Sequence, residues 1–80
     1  MSTDLKVDQT VDCVGAFCPV PIIRARNAIK SMSPGQILEI VATDPGSIGD
    51  FPAFSRNTGH ELIRTDESDE TYRYYIRVAG

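Results

Sequence analysis

The 80-residue sequence predicts an α/β two-layer sandwich of order βαβαββ, in which two helices pack on one face of a four-stranded mixed sheet. Apolar residues recur at helical spacing over residues 18–32, and a second helical pattern covers residues 47–58. Runs rich in β-branched and aromatic residues lie before, between and after these segments. Placing both helices on one face buries their apolar stripes, and right-handed crossover connections favour that placement.

The first strand and the first helix are separated by a turn at Gly15. The strand is predicted over residues 6–12, whose β-branched members are Val7, Thr10 and Val11. The helix is predicted over residues 18–32, and its apolar stripe consists of Cys18, Ile22, Ala25, Ile29 and Met32. SPG at residues 33–35 ends this helix, because proline cannot continue it and glycine permits the reversal.

The middle of the chain is predicted to form a central strand and a second helix. QILEIVAT at residues 36–43 is the most apolar strand candidate and is expected to be central in its sheet. Ser47 and Asp50 resemble a weak capping box at the start of the helix, and Gly59 closes it. The residues expected to face the core are Ile48, Phe51 and Phe54.

The last two strands are predicted over residues 60–66 and 72–78, where apolar and polar residues alternate. The acidic segment ESDE at residues 67–70 joins them, so the two strands form a hairpin with a solvated turn.

Composition and charge restrict the functions that the chain can have. A hydrophobic share of 41% and a charged share of 24% indicate a single globular domain over residues 1–80, with residues 1–6 expected to be flexible. The net charge of −3 and the scattered basic residues argue against direct nucleic-acid binding. No apolar run suits a membrane span and no secretory signal is visible, so a cytoplasmic location is expected, where the two cysteines are thiols.

CPVP at residues 18–21 carries the chemistry. With Cys18 as the helix N-cap, Pro19 and Pro21 fall in the first turn, where a missing N–H costs nothing. The remaining donors, including the Val20 N–H, and the helix dipole then favour the thiolate, lowering the pKa of the thiol from about 8.5 towards ~3.5–7.5. The alternative is that the prolines merely start the helix and Cys18 is an inert apolar cap.

These residues resemble the TusA-like (SirA-like) family of sulfur-carrier proteins. The resemblance starts with VDCVGAFCPVP at residues 11–21, where an acidic residue, Asp12, and a glycine, Gly15, lead into Cys-Pro-x-Pro. It continues through SPG at 33–35, DP at 44–45, DFPAF at 50–54, GHEL at 59–62 and YYIR at 74–77. It implies a fold similar to the C-terminal domain of translation initiation factor 3.

The resemblance also implies an activity. Cys18 would accept sulfane sulfur as a persulfide from a cysteine desulfurase or a rhodanese-like donor, and pass it to a cysteine of another relay protein. Downstream uses in the family are 2-thiouridine formation in tRNA, molybdenum-cofactor supply and sulfur oxidation. The chemistry needs an exposed reactive thiol, with no metal or organic cofactor.

Partner docking is expected around the start of the first helix. Arg24 and Arg26, with Lys30 nearby, are either a solvated face or a docking patch for an acidic protein or a tRNA-bearing complex. Phe17 is either an exposed apolar anchor or a core residue, with the core slightly favoured. Asp12 is expected to accept hydrogen bonds from backbone N–H groups of the turn at residues 14–17.

The remaining polar candidates have less specific roles. Cys13 either resolves a Cys18 persulfide into an internal disulfide or is a buried, inert strand residue, and the second interpretation is favoured. Asp44 and Asp50 are expected to stabilise the start of the second helix. His60 is distant in sequence from both cysteines, and no zinc site is expected.

Two functions of different classes follow from the sequence. The first is a sulfurtransferase-type carrier that uses Cys18, and the second is a non-catalytic regulatory or interaction module that presents the CPVP turn. A redox sensor that pairs Cys13 with Cys18 is a minor third hypothesis.

Overall fold

The computed structural model describes residues 6–79 and has the predicted order βαβαββ. Its elements are β1 (Gln9–Cys13), α1 (Val20–Ile29), β2 (Ile37–Ala42), α2 (Ser47–Thr58), β3 (Glu61–Ser68) and β4 (Thr71–Arg77). The sheet order is β1-β2-β4-β3, in which β1 is parallel to β2 and the other two pairs are antiparallel. Both helices pack on the sheet and on each other, so the predicted fold class is confirmed. The segment expected to be flexible lies, apart from Lys6, outside the described residues.

The core lies between the helices and the sheet, and β2 is central as predicted. Leu38, Ile40 and Ala42 are fully buried beneath the helices. From α2, the Phe51 ring stacks on the ring of Tyr74 with a centroid distance of 4.5 Å. Burial of these large apolar side chains is the main favourable term that holds the two layers together.

Strand β1 starts and ends later in the chain than its prediction over residues 6–12. It begins at Gln9 because Asp8 takes over the end of the ladder: its N–H donates to Ile37 O (2.9 Å) and its carboxylate accepts the Ile37 N–H (2.8 Å). At the other end, Cys13 is included because it pairs with Ala42.

Helix α1 is shorter than its prediction over residues 18–32. It begins at Val20 because the chain first makes a turn, closed by the bond from the Val20 N–H to Phe17 O at 2.8 Å. It ends at Ile29 because Ser31 and Met32 donate to carbonyls three residues back, which tightens the last turn. Cys18 was predicted to belong to the apolar stripe of this helix, but it is exposed and lies before the helix.

Helix α2 has the predicted bounds and ends as predicted at Gly59, whose φ of 86° is left-handed. The predicted capping box is wrong: Gly46 is the N-cap without a side-chain bond, and the buried Ser47 hydroxyl instead lies 2.6 Å from the Tyr74 hydroxyl. Ile48 was expected in the core but is 49% exposed, since the buried side of α2 is formed by Ser47, Phe51 and Phe54.

The hairpin of β3 and β4 has a tighter turn than the predicted four residues. Asp69 and Glu70 alone connect the strands, with φ values of 52° and 62°. Positive φ at both central residues is what two-residue hairpins require, and it lets the strands extend further towards the turn.

The two ends of the described chain lie at the same edge of the sheet. Asp8 is bonded to Ile37, and Val78 N–H donates to Gln36 O at 2.9 Å. The carboxyl ends of β1 and β2 lie at the opposite edge, where Cys13 pairs with Ala42. The loops that lead into both helices therefore start from one edge, away from the ends of the chain.

Candidate functional site

Cys18 lies in the loop between β1 and α1, and its side chain is exposed. Because β1 and β2 are parallel and adjacent, this loop meets the loop between β2 and α2 at the carboxyl edge of the strands. Crevices at this edge are the usual ligand sites of parallel α/β sheets. The topology thus places Cys18 where two loops and two helix starts converge.

Hydrogen bonds between the two loops fix the backbone that carries Cys18. The Cys18 N–H donates to Asp44 Oδ2 at 2.9 Å, while Asp44 Oδ1 accepts the Gly46 N–H at 3.1 Å. The Gly15 N–H donates to Thr43 Oγ1 at 2.9 Å. Asp44 therefore ties the loop that carries Cys18 to the start of α2.

Asp12 and Gly15 shape the turn that precedes Cys18. The Val14 N–H donates to Asp12 Oδ1 at 3.0 Å, which confirms the expected bond from the turn. Gly15 has a φ of 82°, a conformation that glycine adopts without the strain a Cβ would add. These two residues direct the chain from β1 towards the loop of Cys18.

The predicted role of Cys18 as the N-cap of α1 is wrong. Pro19 is the N-cap, Pro21 is buried at the second helical position, and Cys18 precedes both. The Val20 N–H, expected near the sulfur, donates instead to Phe17 O. Cys18 is thus outside the helix, so the capping argument for a stabilised thiolate does not apply.

The electrostatic environment of Cys18 also differs from the prediction of a lowered pKa. Hydrogen bonding with the Asp50 carboxylate raises the pKa of the thiol above its ordinary value. Desolvation and the negative charges of Asp50 and Asp44 raise it further. Negative charge beside a thiol disfavours the thiolate relative to the thiol.

A groove of about 320 Å³ extends from Cys18 between the two helices. Of its lining residues, Pro19 and Asp50 lie near the starts of α1 and α2, as Cys18 does, whereas Arg26 and Thr58 lie towards the far ends of the two helices. The apolar part is formed by Ile22, Ala53 and Phe54. An open groove of this size with an exposed thiol at one end suits an extended segment of a partner better than a deeply enclosed small molecule.

Cys13 is the last residue of β1 and is fully buried, which confirms the favoured interpretation of a buried strand residue. Burial raises the pKa of its thiol, and the neighbouring Arg24 guanidinium only partly offsets this effect. Both cysteines are free thiols in this structure.

The three predicted docking residues occupy different places. Phe17 is 73% exposed, so the slight preference for the core was wrong. Arg24 Nη1 donates to Asp12 O at 2.9 Å and so lies over the end of β1. Arg26 lines the groove instead, so the two arginines do not form a common basic face.

Phe17 belongs to an exposed apolar series that continues along α1. Val20 is 37% exposed and Ile23 is 50% exposed, at intervals of three residues. Val20 and Ile23 therefore lie on one side of α1, and Phe17 lies in the turn just before it, which the bond from the Val20 N–H to Phe17 O closes. We refer to Phe17, Val20 and Ile23 as the apolar patch.

His60 lies away from the loop of Cys18, near the other end of the strands. His60 Nδ1 accepts the Ala79 N–H at 3.0 Å, at a distance in the fold from the loop of Cys18. Within residues 6–79, no three His, Cys, Asp or Glu side chains are grouped so that they could hold a metal ion. No helix formed by these residues is long and apolar enough to cross a membrane.

Asp50 and Thr43 are site residues that the sequence reasoning did not assign. Asp50 was interpreted as part of a helix cap, and Thr43 only as the end of a strand. The parallel pairing of β1 with β2 is the signal that links them to Cys18, since it brings both following loops to one edge.

Sequence and fold both resemble those of known proteins. A family model described as sulfurtransferase TusA matches residues 9–78. The chain is 44% identical over 70 residues to the sulfur carrier protein TusA of Allochromatium vinosum, which covers 88% of this chain and 92% of that protein. It is 40% identical over 78 residues to a putative sulfur carrier protein of Halobacterium salinarum, with 96% of each chain covered. A solved SirA-like protein of Desulfitobacterium hafniense has a TM-score of 0.77 at 22% identity, over 90% of this chain and 99% of that one, and shares the fold.

Proposed function

The chain belongs to the TusA sulfurtransferase family of sulfur carriers, and we propose that Cys18 receives sulfane sulfur as a persulfide and relays it to a partner protein. The observation that carries this proposal is the exposed Cys18 thiol at the end of the groove, on a backbone held by Asp44. The other thiol, Cys13, is fully buried, so Cys18 is the sulfur atom that a partner can reach.

The transfer needs two exchange steps, and in each of them a thiolate attacks the outer sulfur of a persulfide. The Cys18 thiolate attacks the outer sulfur of a donor persulfide, the donor's S–S bond breaks, and a new S–S bond forms on Cys18. The donor leaves as a thiolate and takes up a proton. In the second step, an acceptor cysteine attacks the outer sulfur on Cys18 and regenerates the free carrier.

Family membership implies a donor and an acceptor, which dock in turn. A cysteine desulfurase or a rhodanese-like protein is the proposed donor, and a cysteine of another relay protein is the acceptor. The persulfide would then supply tRNA 2-thiouridine synthesis, molybdenum-cofactor assembly or sulfur oxidation. All three uses would draw on the outer sulfur of the Cys18 persulfide, while the sulfur atom of Cys18 itself stays on the carrier.

The apolar patch is the proposed docking surface. Large exposed apolar side chains beside a functional group commonly mark contacts with other proteins. Phe17 is the most exposed of the three and immediately precedes Cys18, so it is well placed to anchor a partner. Arg26, within the groove, would contact a partner segment that enters there.

The test is the intact mass of the protein after incubation with a cysteine desulfurase and cysteine. We expect a gain of one sulfur atom, about 32 Da, that dithiothreitol removes, as a persulfide requires. Cys18→Ser should abolish the gain, because its hydroxyl cannot form a persulfide.

Cys13→Ala is the matched control, because it removes the buried thiol and should retain the gain. An adduct that persists in Cys18→Ser would overturn the assignment of Cys18. An unchanged mass with both this donor and a rhodanese supplied with thiosulfate would favour the non-catalytic module that presents the CPVP turn.

A further inference from the structure

Two carboxylates lie close to Cys18, and within residues 6–79 neither forms an ion pair with a basic side chain. Asp44 Oδ2 accepts the Cys18 backbone N–H, and Asp50 lines the groove together with Cys18. Within residues 6–79, the ion pairs involve other acidic residues: Glu39, Glu61 and Asp66. The end of the groove at Cys18 therefore carries uncompensated negative charge.

The cation of the groove does not neutralise this charge. Arg26 lies six residues beyond Val20, a rise of about 9 Å along the axis of α1. Its guanidinium forms no ion pair with Asp50 or Asp44 among the described residues. The groove is thus acidic at the Cys18 end and basic at the far end.

This arrangement is unfavourable for a nucleophile in isolation. The thiolate is the form that attacks a persulfide, and nearby negative charge suppresses it. The raised pKa of the Cys18 thiol agrees with this, because it too favours the protonated form. The group that would correct the imbalance is a positive charge brought in from outside.

We propose that the Cys18 end of the groove is a recognition site for a cationic side chain, lysine or arginine, of the partner protein, and that Asp50 binds it. The identity of the partner as a sulfur donor or acceptor rests on the proposed function. When the cation pairs with Asp50, the Cys18 proton is released to water and the thiolate forms next to the docked persulfide. Without a bound partner, Cys18 stays protonated and therefore reacts more slowly than the thiolate.

The test uses three thiol reagents that differ in charge. Methyl methanethiosulfonate is neutral, the 2-aminoethyl derivative carries the ammonium group of a lysine side chain, and the 2-sulfonatoethyl derivative is an anion. With each, the thiolate attacks the sulfenyl sulfur, forms a mixed disulfide and releases methanesulfinate. Rates on Cys18 are followed by intact mass and divided by the rates with 2-mercaptoethanol.

We expect the wild type to react roughly tenfold faster with the cationic than with the anionic reagent after this normalisation, because charges a few ångströms apart interact appreciably even in water. Asp50→Asn keeps the size and polarity of the side chain and should reduce this ratio severalfold. Glu61→Gln is the matched control, since it removes the same charge at the opposite edge of the sheet and should leave the ratio unchanged.

Equal normalised rates for the two charged reagents on the wild type would overturn the proposal, and so would an unchanged ratio in folded Asp50→Asn.

If the Asp50→Asn variant does not fold, the salt dependence of the wild type decides. Its ratio should fall towards one between about 0.01 M and 1 M salt, as the screening length drops from ~30 Å to ~3 Å; a ratio independent of salt contradicts the site. Labelling needs no sulfur donor, so a cation preference without persulfide formation would retain this site while removing the carrier function.

Discussion

Ser47 is a single side chain whose position in the fold gives it an unexpected role. Its sequence context suggests a helix cap, yet the hydroxyl is buried and lies 2.6 Å from the Tyr74 hydroxyl. This bond joins the start of α2 to the central part of the sheet. A buried hydroxyl without a partner is costly, so the pair matters more together than either member alone.

We therefore expect Ser47→Ala to lower the free energy of unfolding by about 1–3 kcal/mol, because the Tyr74 hydroxyl is left buried and unsatisfied. Urea denaturation measures the change. The double variant Ser47→Ala, Tyr74→Phe should be less destabilised than the sum of its two single variants. Additive effects in this double-mutant cycle would show that the two hydroxyls do not interact.

At the scale of an element, α2 owes its length to the glycine that ends it. Gly59 has a φ of 86°, and its N–H donates to Ser55 O at 3.0 Å. Beyond this residue the chain reverses directly into β3. The sharp end lets Phe54 remain packed near His60, with a ring centroid distance of 6.1 Å.

Two glycines of the same region should respond in opposite directions to the same substitution. Gly59→Ala should destabilise the protein by about 1 kcal/mol, since a Cβ is unfavourable at left-handed φ. Gly49→Ala should stabilise it by about 0.5–1 kcal/mol, because position 49 is helical. A Cβ at position 49 also meets no atom within 4 Å. Thermal or urea unfolding of the pair checks this, and equal effects of the two changes would contradict the capping role.

At the scale of the whole molecule, several thiols and phenols ionise less readily in the fold than in water. Burial is the main cause that raises the pKa of Cys13, Tyr74 and Tyr75, whereas hydrogen bonding with Asp50 is the main cause for Cys18. A raised pKa means that the folded state holds its proton to higher pH than the unfolded chain does. The resulting stabilisation is present below the unfolded pKa and is lost as the pH rises through the folded pKa.

The free energy of unfolding should accordingly be level near neutral pH and decline above the ordinary thiol value of 9.0. Urea titrations across this range measure the decline. In the double variant Cys13→Ala, Cys18→Ser the decline should start closer to the tyrosine value of 10.0, because only the phenols remain. Stability that stays constant up to that value in the wild type would argue against the shifts.

The sequence predicts the order of the elements because each segment carries its own periodicity. The spacing from Ile22 to Ile29 and the apolar run in β2 are local signals, so the two layers follow from them. The site was predicted less well because it depends on contacts between distant segments. Asp50 meets Cys18 only once β1 and β2 are paired in parallel, and the exposure of Phe17 depends on how its loop sits against the rest of the fold, which no local periodicity indicates.

The separation of the chain ends from Cys18 has a practical and a biological consequence. Asp8 and Val78 lie at one edge of the sheet, and the loop of Cys18 lies at the other. A surface, tag or additional domain joined to either end would therefore leave the thiol facing outward, on the far side of the molecule from its tether. The domain can be anchored on the side of Asp8 and Val78 while the opposite side, which carries Cys18, stays open to a partner.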